Sequence, residues 1–322
     1  MASKTQVSKP DKPSNSSGTK YSTKTETKTS IQSNDPSPQI KRPSKALASP
    51  AIRKRAKEAG IDLSQVTPSG KIGNVTHADL DRFEKALEPE PGENRIKIIG
   101  MRRLIAERMQ ASKRHIPHFT YVEEMDVTEL EALRKRLNEK KGDDKPKLTV
   151  LPFIIRAMIT AIREWPQMNA RYMDEQGFLS QFSPVHLGIA TQTDQGLLVP
   201  VIKNAQTLNV FETAAEIARL AEGARNATLT KEELTGATTT LTSLGPLGGI
   251  VTTPVINRPE VSIFGPNKIR PKLILENGEV KERLVMNFSI SCDHRIIDGY
   301  DAAAMMQFIK SLLEDPILMF LE

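Results

Sequence analysis

From Met286 to Asp293 the chain alternates without a break. Met286, Phe288, Ile290 and Cys292 are apolar, and Asn287, Ser289, Ser291 and Asp293 are polar. A period of two describes a strand with one apolar face, and it puts His294 at the strand end, on the apolar side. Beyond it the chain turns at Asp298 and Gly299 into a last helix expected over 301–313. A second constraint is the stretch from Leu151 to Trp165, apolar almost all round and stopped by Pro166, which predicts a buried helix. The runs VHLGIATQT and GLLVPVIKN, either side of Asp194 and Gln195, predict a hairpin. A helix over 212–225 and a glycine-rich strand region, TTTLTSLGPLGGIVTTPV, come next. Helices and strands alternate without a strict βαβ period, so the fold class is α/β, a mixed sheet layered with helices.

The net charge of +6 suggests a polyanion partner until its location is considered. Residues 1–45 hold nine Lys/Arg against three Asp/Glu, which accounts for all of it, and the rest of the chain is neutral. That arm of Ser, Thr, Lys and Pro has too little apolar surface to offset the entropy of ordering it, and is expected to be a disordered linker. No nucleic-acid partner is expected for the folded part. No run approaches the roughly 18 apolar residues of a membrane span, and no signal peptide is recognisable. The single cysteine, Cys292, excludes a disulfide framework and multi-cysteine metal sites and fits a reducing compartment, with cytoplasm the default.

Composition changes at Ala46. Ser49 with Pro50 opens a short helix carrying Ile52, Ala56 and Ala59, stopped by Gly60. Thr76 with Asp79 three residues on opens a second, with Leu80, Phe83 and Leu87 on one face. This unit, 46–87, has a basic face that includes Arg53, Lys54 and Lys71. A hinge over 88–95 precedes the main domain, 96–322. There Ile99, Leu104, Ile105 and Met109 mark a helix, FTYVEEMDV a strand, and Thr128 with Glu131 a capping box.

Only five histidines exist in the chain. A strand-end histidine taken alone is more often explained by a structural hydrogen bond. A turn with Asp298 four residues later can also fix an imidazole near a carboxylate at the mouth of a cleft. Cys292 is a rival nucleophile, although its period places it among core residues. The glycines of LGPLGG do not form a dinucleotide-binding pattern and read as a tight turn beside a ligand channel.

The spacing Asp293, His294, Arg295, Asp298, Gly299 (DHRxxDG) resembles the signature of the acyltransferase component of 2-oxo acid dehydrogenase complexes and of its cousin chloramphenicol acetyltransferase. The resemblance extends through GMRRLIAERM, GLLVPVIKN and TLTSLGPLGG, while 46–87 is similar to that family's all-α peripheral subunit-binding domain. It implies a two-layer, CoA-dependent acyltransferase fold. IPHFTYVEEMDVTELEALR and TLTSLGPLGGIVTTPVINRPEV look most like bacterial branched-chain members, with acetyl or succinyl transfer the alternatives, and a non-catalytic docking scaffold a further one. By the resemblance His294 is the general base toward the coenzyme A thiol, and Thr242 donates a hydrogen bond to the oxyanion, with Ser243 as the neighbouring alternative. Asp298 is expected to orient the site through a buried pair with Arg102, Arg103 or Arg108.

The resemblance further implies docking of the 2-oxo acid decarboxylase and dihydrolipoyl dehydrogenase components through Arg53, Lys54 and Lys71. Asn74 stands where many relatives have arginine, which removes a charge-assisted contact. A lipoyl domain is not expected within this chain, since Lys85 lies on a helix, so the lipoyl group is supplied separately or belongs to a longer form. The family forms trimers that join through an apolar carboxyl terminus into a cubic or larger cage, and Ile317 to Leu321 fit that contact. The implied location is the cytoplasm of a bacterium, or the mitochondrial matrix in a eukaryote.

Overall fold

In the computed structural model the described residues are 46–87, 92–194 and 196–321. The disordered arm expected over 1–45 and half of the hinge expected over 88–95 lie outside them. Contacts divide the chain into two compact units between Arg95 and Ile96.

In the first unit α1 (Pro50–Glu58) begins where the Ser49 hydroxyl accepts from the Ile52 N–H. The chain leaves α1 through Gly60 at φ 67°, a left-handed turn that glycine enters without strain. α2 (His77–Leu87) starts at the reciprocal Thr76 and Asp79 pair: Thr76 N–H donates to Asp79 Oδ2 at 2.9 Å, and Asp79 N–H donates to Thr76 Oγ1 at 3.3 Å. Ser69 adds two further hydrogen bonds to the buried Asp79. Hydrogen bonds from Ser69 and Thr76 hold that carboxyl well below the usual carboxylate range. The helices close over a small core of Ile52, Ala56, Val66, Val75 and Leu80. Ala59, expected on the apolar face, is exposed as the residue that caps α1.

The second unit is a mixed sheet with helices on it, as the α/β class requires. Its strands are β1 (His118–Asp126), β4 (Leu187–Thr193), β5 (Gly196–Leu198), β6 (Val201–Ile202), β7 (Thr239–Thr242), β8 (Ser262–Pro266), β9 (Arg270–Glu276) and β10 (Glu279–Asp293). Their order is β1-β10-β8-β7-β4-β5, with β6 on β4 and β9 on β10. β7 runs parallel to β4 and β8, and the other pairs are antiparallel. A separate hairpin joins β2 (Ala170–Met173) to β3 (Phe178–Gln181).

α5 (Leu151–Glu164) is the helix that is apolar all round, and ten of its 14 residues are buried. It packs against α6 (Val210–Arg225) and α7 (Gly299–Glu314). Asn209 and Glu212 close a reciprocal cap at the start of α6. Phe153, Phe264, Phe288 and Met125 are fully buried in the resulting core.

One expected cap is replaced by longer-range contacts. Thr128 does not cap α4 (Thr128–Lys140) through Glu131; its hydroxyl donates to Asp126 and accepts from the Leu284 N–H, a tie to β10. Glu131 pairs instead with Arg134 at 2.6 Å. On the polar face of β10, Ser289, Ser291 and Asp293 are all buried. Asn267, Thr120 and Arg295 respectively hydrogen-bond them there.

Candidate active site

β10 ends at Asp293, and the turn that follows is locked from both sides. The Ile296 and Ile297 N–H groups both donate to the Asp293 carbonyl at 3.0 Å, and Arg295 grips the Asp293 carboxylate through Nε at 2.9 Å and Nη2 at 2.6 Å. His294 N–H donates to Pro117 O at 3.1 Å, which fastens the turn to the start of β1. The His294 ring is exposed on one side and rests on Phe119 on the other, with centroids 4.3 Å apart. Among the described residues its nitrogens make no hydrogen bond, so the imidazole is available to take a proton.

Beneath it His118 has a fixed tautomer. Its Nε2 accepts from the Ile256 N–H at 3.0 Å and its Nδ1 faces Ile116 O at 2.9 Å, so the proton sits on Nδ1. Partial burial pushes its pKa down.

Asp298 occupies the N-cap position of α7; its carbonyl accepts from the Ala302 N–H at 3.2 Å, and its carboxylate makes no capping hydrogen bond. It is exposed, and the buried arginine pair expected for it is not made among the described residues. α3 (Gly100–His115) turns Arg102, Arg103 and Arg108 to solvent, and Arg103 pairs with Glu107 at 2.9 Å. Cys292 is fully buried and burial pushes its thiol pKa far up, which makes it packing and not a nucleophile.

Thr242 is the last residue of β7 and lines a cavity of about 310 Å³ with Gln192, Leu197, Leu244, Thr252 and Pro254. Ser243 faces a different cavity, of about 370 Å³, and its hydroxyl accepts from the Gly245 N–H at 3.2 Å. Strand alternation thus separates the two hydroxyls. Ser243 is committed to the turn; the Thr242 hydroxyl makes no hydrogen bond among the described residues.

His294 and Thr242 are not together in one chain. Leu241 is level with Phe264, which pairs with Ile290. Thr242 lies one step beyond that line, and His294 four steps the other way. Five steps at a rise near 3.4 Å amount to about 17 Å, with two strand spacings of about 4.8 Å across. The imidazole and the hydroxyl sit at opposite ends of the sheet.

Residues not anticipated from sequence also shape this region. Glu260 is wholly buried, accepts from Thr240 Oγ1 at 2.6 Å and from Asn257 Nδ2 at 2.9 Å, and burial pushes its pKa up to about 7. A lone acid between Pro259 and Val261 was the available signal. Phe119 was signalled only as a strand residue.

In the first unit Arg53 folds back, donating to Ala48 O at 3.2 Å and Ala46 O at 2.7 Å. Lys54 lies 4.0 Å from Glu58 with both side chains exposed, Lys71 is exposed, and Asn74 closes a turn by accepting from Gly70 N–H at 2.9 Å. Arg55 is taken up by Asp81 and Glu84, each at 2.6 Å.

Family models match two segments: 2-oxoacid dehydrogenases acyltransferase (catalytic domain) over residues 90–321, and e3 binding domain over residues 46–81. The chain is 49% identical over 289 residues to the lipoamide acyltransferase component of a branched-chain alpha-keto acid dehydrogenase complex from Pseudomonas aeruginosa, covering 86% of this chain and 68% of that protein. It is 39% identical to the dihydrolipoyllysine-residue acetyltransferase component of the Bacillus subtilis pyruvate dehydrogenase complex, with 86% and 69% covered. Among solved structures, Azotobacter vinelandii dihydrolipoamide acetyltransferase superposes with a TM-score of 0.66 at 35% identity, over 73% of this chain and all of that one. A truncated catalytic core from Thermoplasma acidophilum gives 0.64 at 35%, over 70% of this chain and 99% of that one. With an exposed imidazole at one end of its sheet and an uncommitted hydroxyl at the other, this chain belongs to the acyltransferase family of the 2-oxoacid dehydrogenases, and it carries an e3 binding domain ahead of the catalytic one.

Proposed function

We propose that the protein transfers a branched-chain acyl group between a dihydrolipoyl thioester and coenzyme A, in a site shared by two copies of the chain. The observation that carries this reading is the separation of His294 from Thr242: neither half can work alone, and a second copy that presents its Thr242 end to the first copy's His294 end completes the site. The Pseudomonas relative, at higher identity than the acetyl-transferring one, supports the branched-chain assignment.

In the forward direction neutral His294 takes the proton of the coenzyme A thiol, whose free pKa of about 8.5 leaves little thiolate at neutral pH. The thiolate attacks the thioester carbonyl, and the Thr242 hydroxyl from the neighbouring copy donates to the oxyanion that forms. Collapse re-forms the carbonyl and expels the dihydrolipoyl sulfur, which recovers the proton from the imidazolium. A donor in that position is worth about 10² to 10³ in rate. Asp298, whose carboxylate makes no hydrogen bond among the described residues, orients the assembled site. The cavity on the Ser243 side, with Lys147 and Lys268 in its lining, suits the phosphates of coenzyme A.

We assign residues 46–87 to docking of dihydrolipoyl dehydrogenase or the decarboxylase, through Lys54, Lys71 and the outer face of Arg53. The catalytic domain spans 96–322, assembles as trimers, and builds a cage through Ile317 to Leu321, of which Ile317, Phe320 and Leu321 are at least half exposed. We place the enzyme in the cytoplasm on its single reduced cysteine.

The test is complementation. His294→Ala and Thr242→Ala each lose several orders of magnitude and about 10² to 10³ respectively, yet mixed trimers of the two regain turnover because an intact site forms between unlike copies. Mixed trimers as dead as the parents refute the shared site. Isobutyryl-, acetyl- and succinyl-dihydrolipoamide assayed side by side decide the acyl group, with the first expected to be fastest.

A further inference from the structure

Four residues place a buried carboxylate under the strand that delivers Thr242. Glu260 is 2% exposed, and both of its oxygens are engaged: Oε2 accepts from Thr240 Oγ1 at 2.6 Å and Oε1 from Asn257 Nδ2 at 2.9 Å. Thr240 and Thr242 are two residues apart on β7, so their side chains leave the same face of the sheet. On the opposite side of Thr240 the neighbouring strand carries Gly188, where a Cβ would come within 2.8 Å of the Thr240 hydroxyl. Thr240 is therefore clamped between a glycine that makes room for it and a carboxylate that fixes its hydroxyl.

The anchor behind the clamp is itself immobile. Asn257 and Glu260 belong to a tight turn closed by Glu260 N–H donating to Asn257 O at 3.1 Å. Arg258, within that turn, reaches Asp174 at 2.8 Å, and Asp174 lies 3.6 Å from Arg295, the residue that grips Asp293. A carboxylate buried without a full countercharge is costly. Arg171, the cation acting on it, is committed to Ala237 O through two hydrogen bonds.

We propose that Glu260 is a positioning residue for acyl transfer, acting through the Thr240 hydroxyl to set where Thr242 stands at the end of β7. It touches neither substrate nor reacting atoms. This rests on the reading of Thr242 as oxyanion donor. Its consequence is that turnover, and not the affinity for coenzyme A, depends on a hydrogen bond two residues upstream of the catalytic hydroxyl. A displacement of about 1 Å at a reacting centre can cost as much as 10²-fold.

The experiment is a double-mutant cycle on the intact assembly. Thr240→Val removes the hydroxyl and keeps the shape; it is expected to lower kcat about tenfold or more with KM for coenzyme A unchanged. Thr240→Ser restores kcat to within a fewfold, which a merely structural role for the methyl group would not do. Glu260→Gln, which keeps one acceptor, falls between. Added to Thr242→Ala, Thr240→Val costs nothing further, because the donor it positions is gone. The proposal is overturned by a Thr240→Val enzyme with near-normal kcat while Thr242→Ala has lost activity, or by an equal loss from Thr240→Val in both backgrounds. A Thr242→Ala enzyme with near-normal turnover removes the underlying reading of Thr242 and the proposal with it.

Discussion

Asp293 and Arg295 close on each other across His294: the guanidinium makes three hydrogen bonds of 2.6 to 3.2 Å to a carboxylate that is 1% exposed. The residue between them has no freedom to move its backbone independently, which is how a surface imidazole acquires a fixed position. Arg295 also lies over the Tyr172 ring and near Asp174. Asp293→Ala leaves the arginine half-anchored and opens the turn. Because Arg295 is partly exposed, the expected loss is at the lower end for such pairs, about 2 kcal/mol in urea unfolding, together with a fall in kcat. Unchanged unfolding and turnover would contradict this account of the turn.

Phe119 is the surface on which His294 rests. Phe119→Leu keeps the apolar volume and removes the ring contact, worth about 0.5 to 1.5 kcal/mol. If that contact orients the base, kcat falls severalfold to about tenfold while both KM values stay put. A rise in KM alone would show that Phe119 binds substrate instead.

Two groups, the buried Glu260 and the half-buried His118, give the fold opposite pH dependences. The pKa of Glu260 is raised by burial from an ordinary 4.5 to about 7. The folded state therefore holds its proton more tightly, and its contribution is present below about pH 4.5 and lost as pH rises to about 7. Glu260→Gln removes that loss, so the Tm of the variant should gain on wild type across this window. A constant Tm difference would argue against the raised value.

The pKa of His118 is lowered by burial, so its contribution is present at high pH and lost on acidification, from the ordinary histidine value of 6.5 downward. His118→Gln should flatten the acid limb of the Tm profile. An acid limb identical to wild type would move the effect to another group.

Gly188 tests the packing around β7 directly. A methyl group there meets Thr240 Oγ1 and Val199 Cγ1 at 2.8 Å and Ala237 Cβ at 3.3 Å. Gly188→Ala should cost about 1 to 3 kcal/mol by overpacking and reduce kcat beyond what its lower stability explains. The measurement is turnover of the folded fraction, with folding followed by circular dichroism.

Much of the local structure was legible in the chain. The period of two over 286–292, the apolar helix at Leu151, and the pairing of Thr76 with Asp79 each report what a residue does with neighbours a few positions away. The same reasoning failed at Thr128, whose hydroxyl is captured by Leu284. Nor does a local period reveal that the polar face of β10 is covered by Thr120, Asn267 and Arg295. In both places a partner far along the sequence outbid the local one, or supplied hydrogen bonds that allow polar groups to be buried.

The sequence by itself determined the α/β class and nominated the side chains able to do chemistry, because side-chain type and short-range period are local properties. Only the tertiary structure decided that His294 and Thr242 stand at opposite ends of one sheet, that Asp298 has no arginine partner among the described residues, and that Glu260 is buried beneath Thr240. Those facts follow from strand order and register. Pairings such as Phe119 with Cys292, or Thr240 with Ile263, are set by the packing of the whole core and leave no periodic trace in the residues themselves.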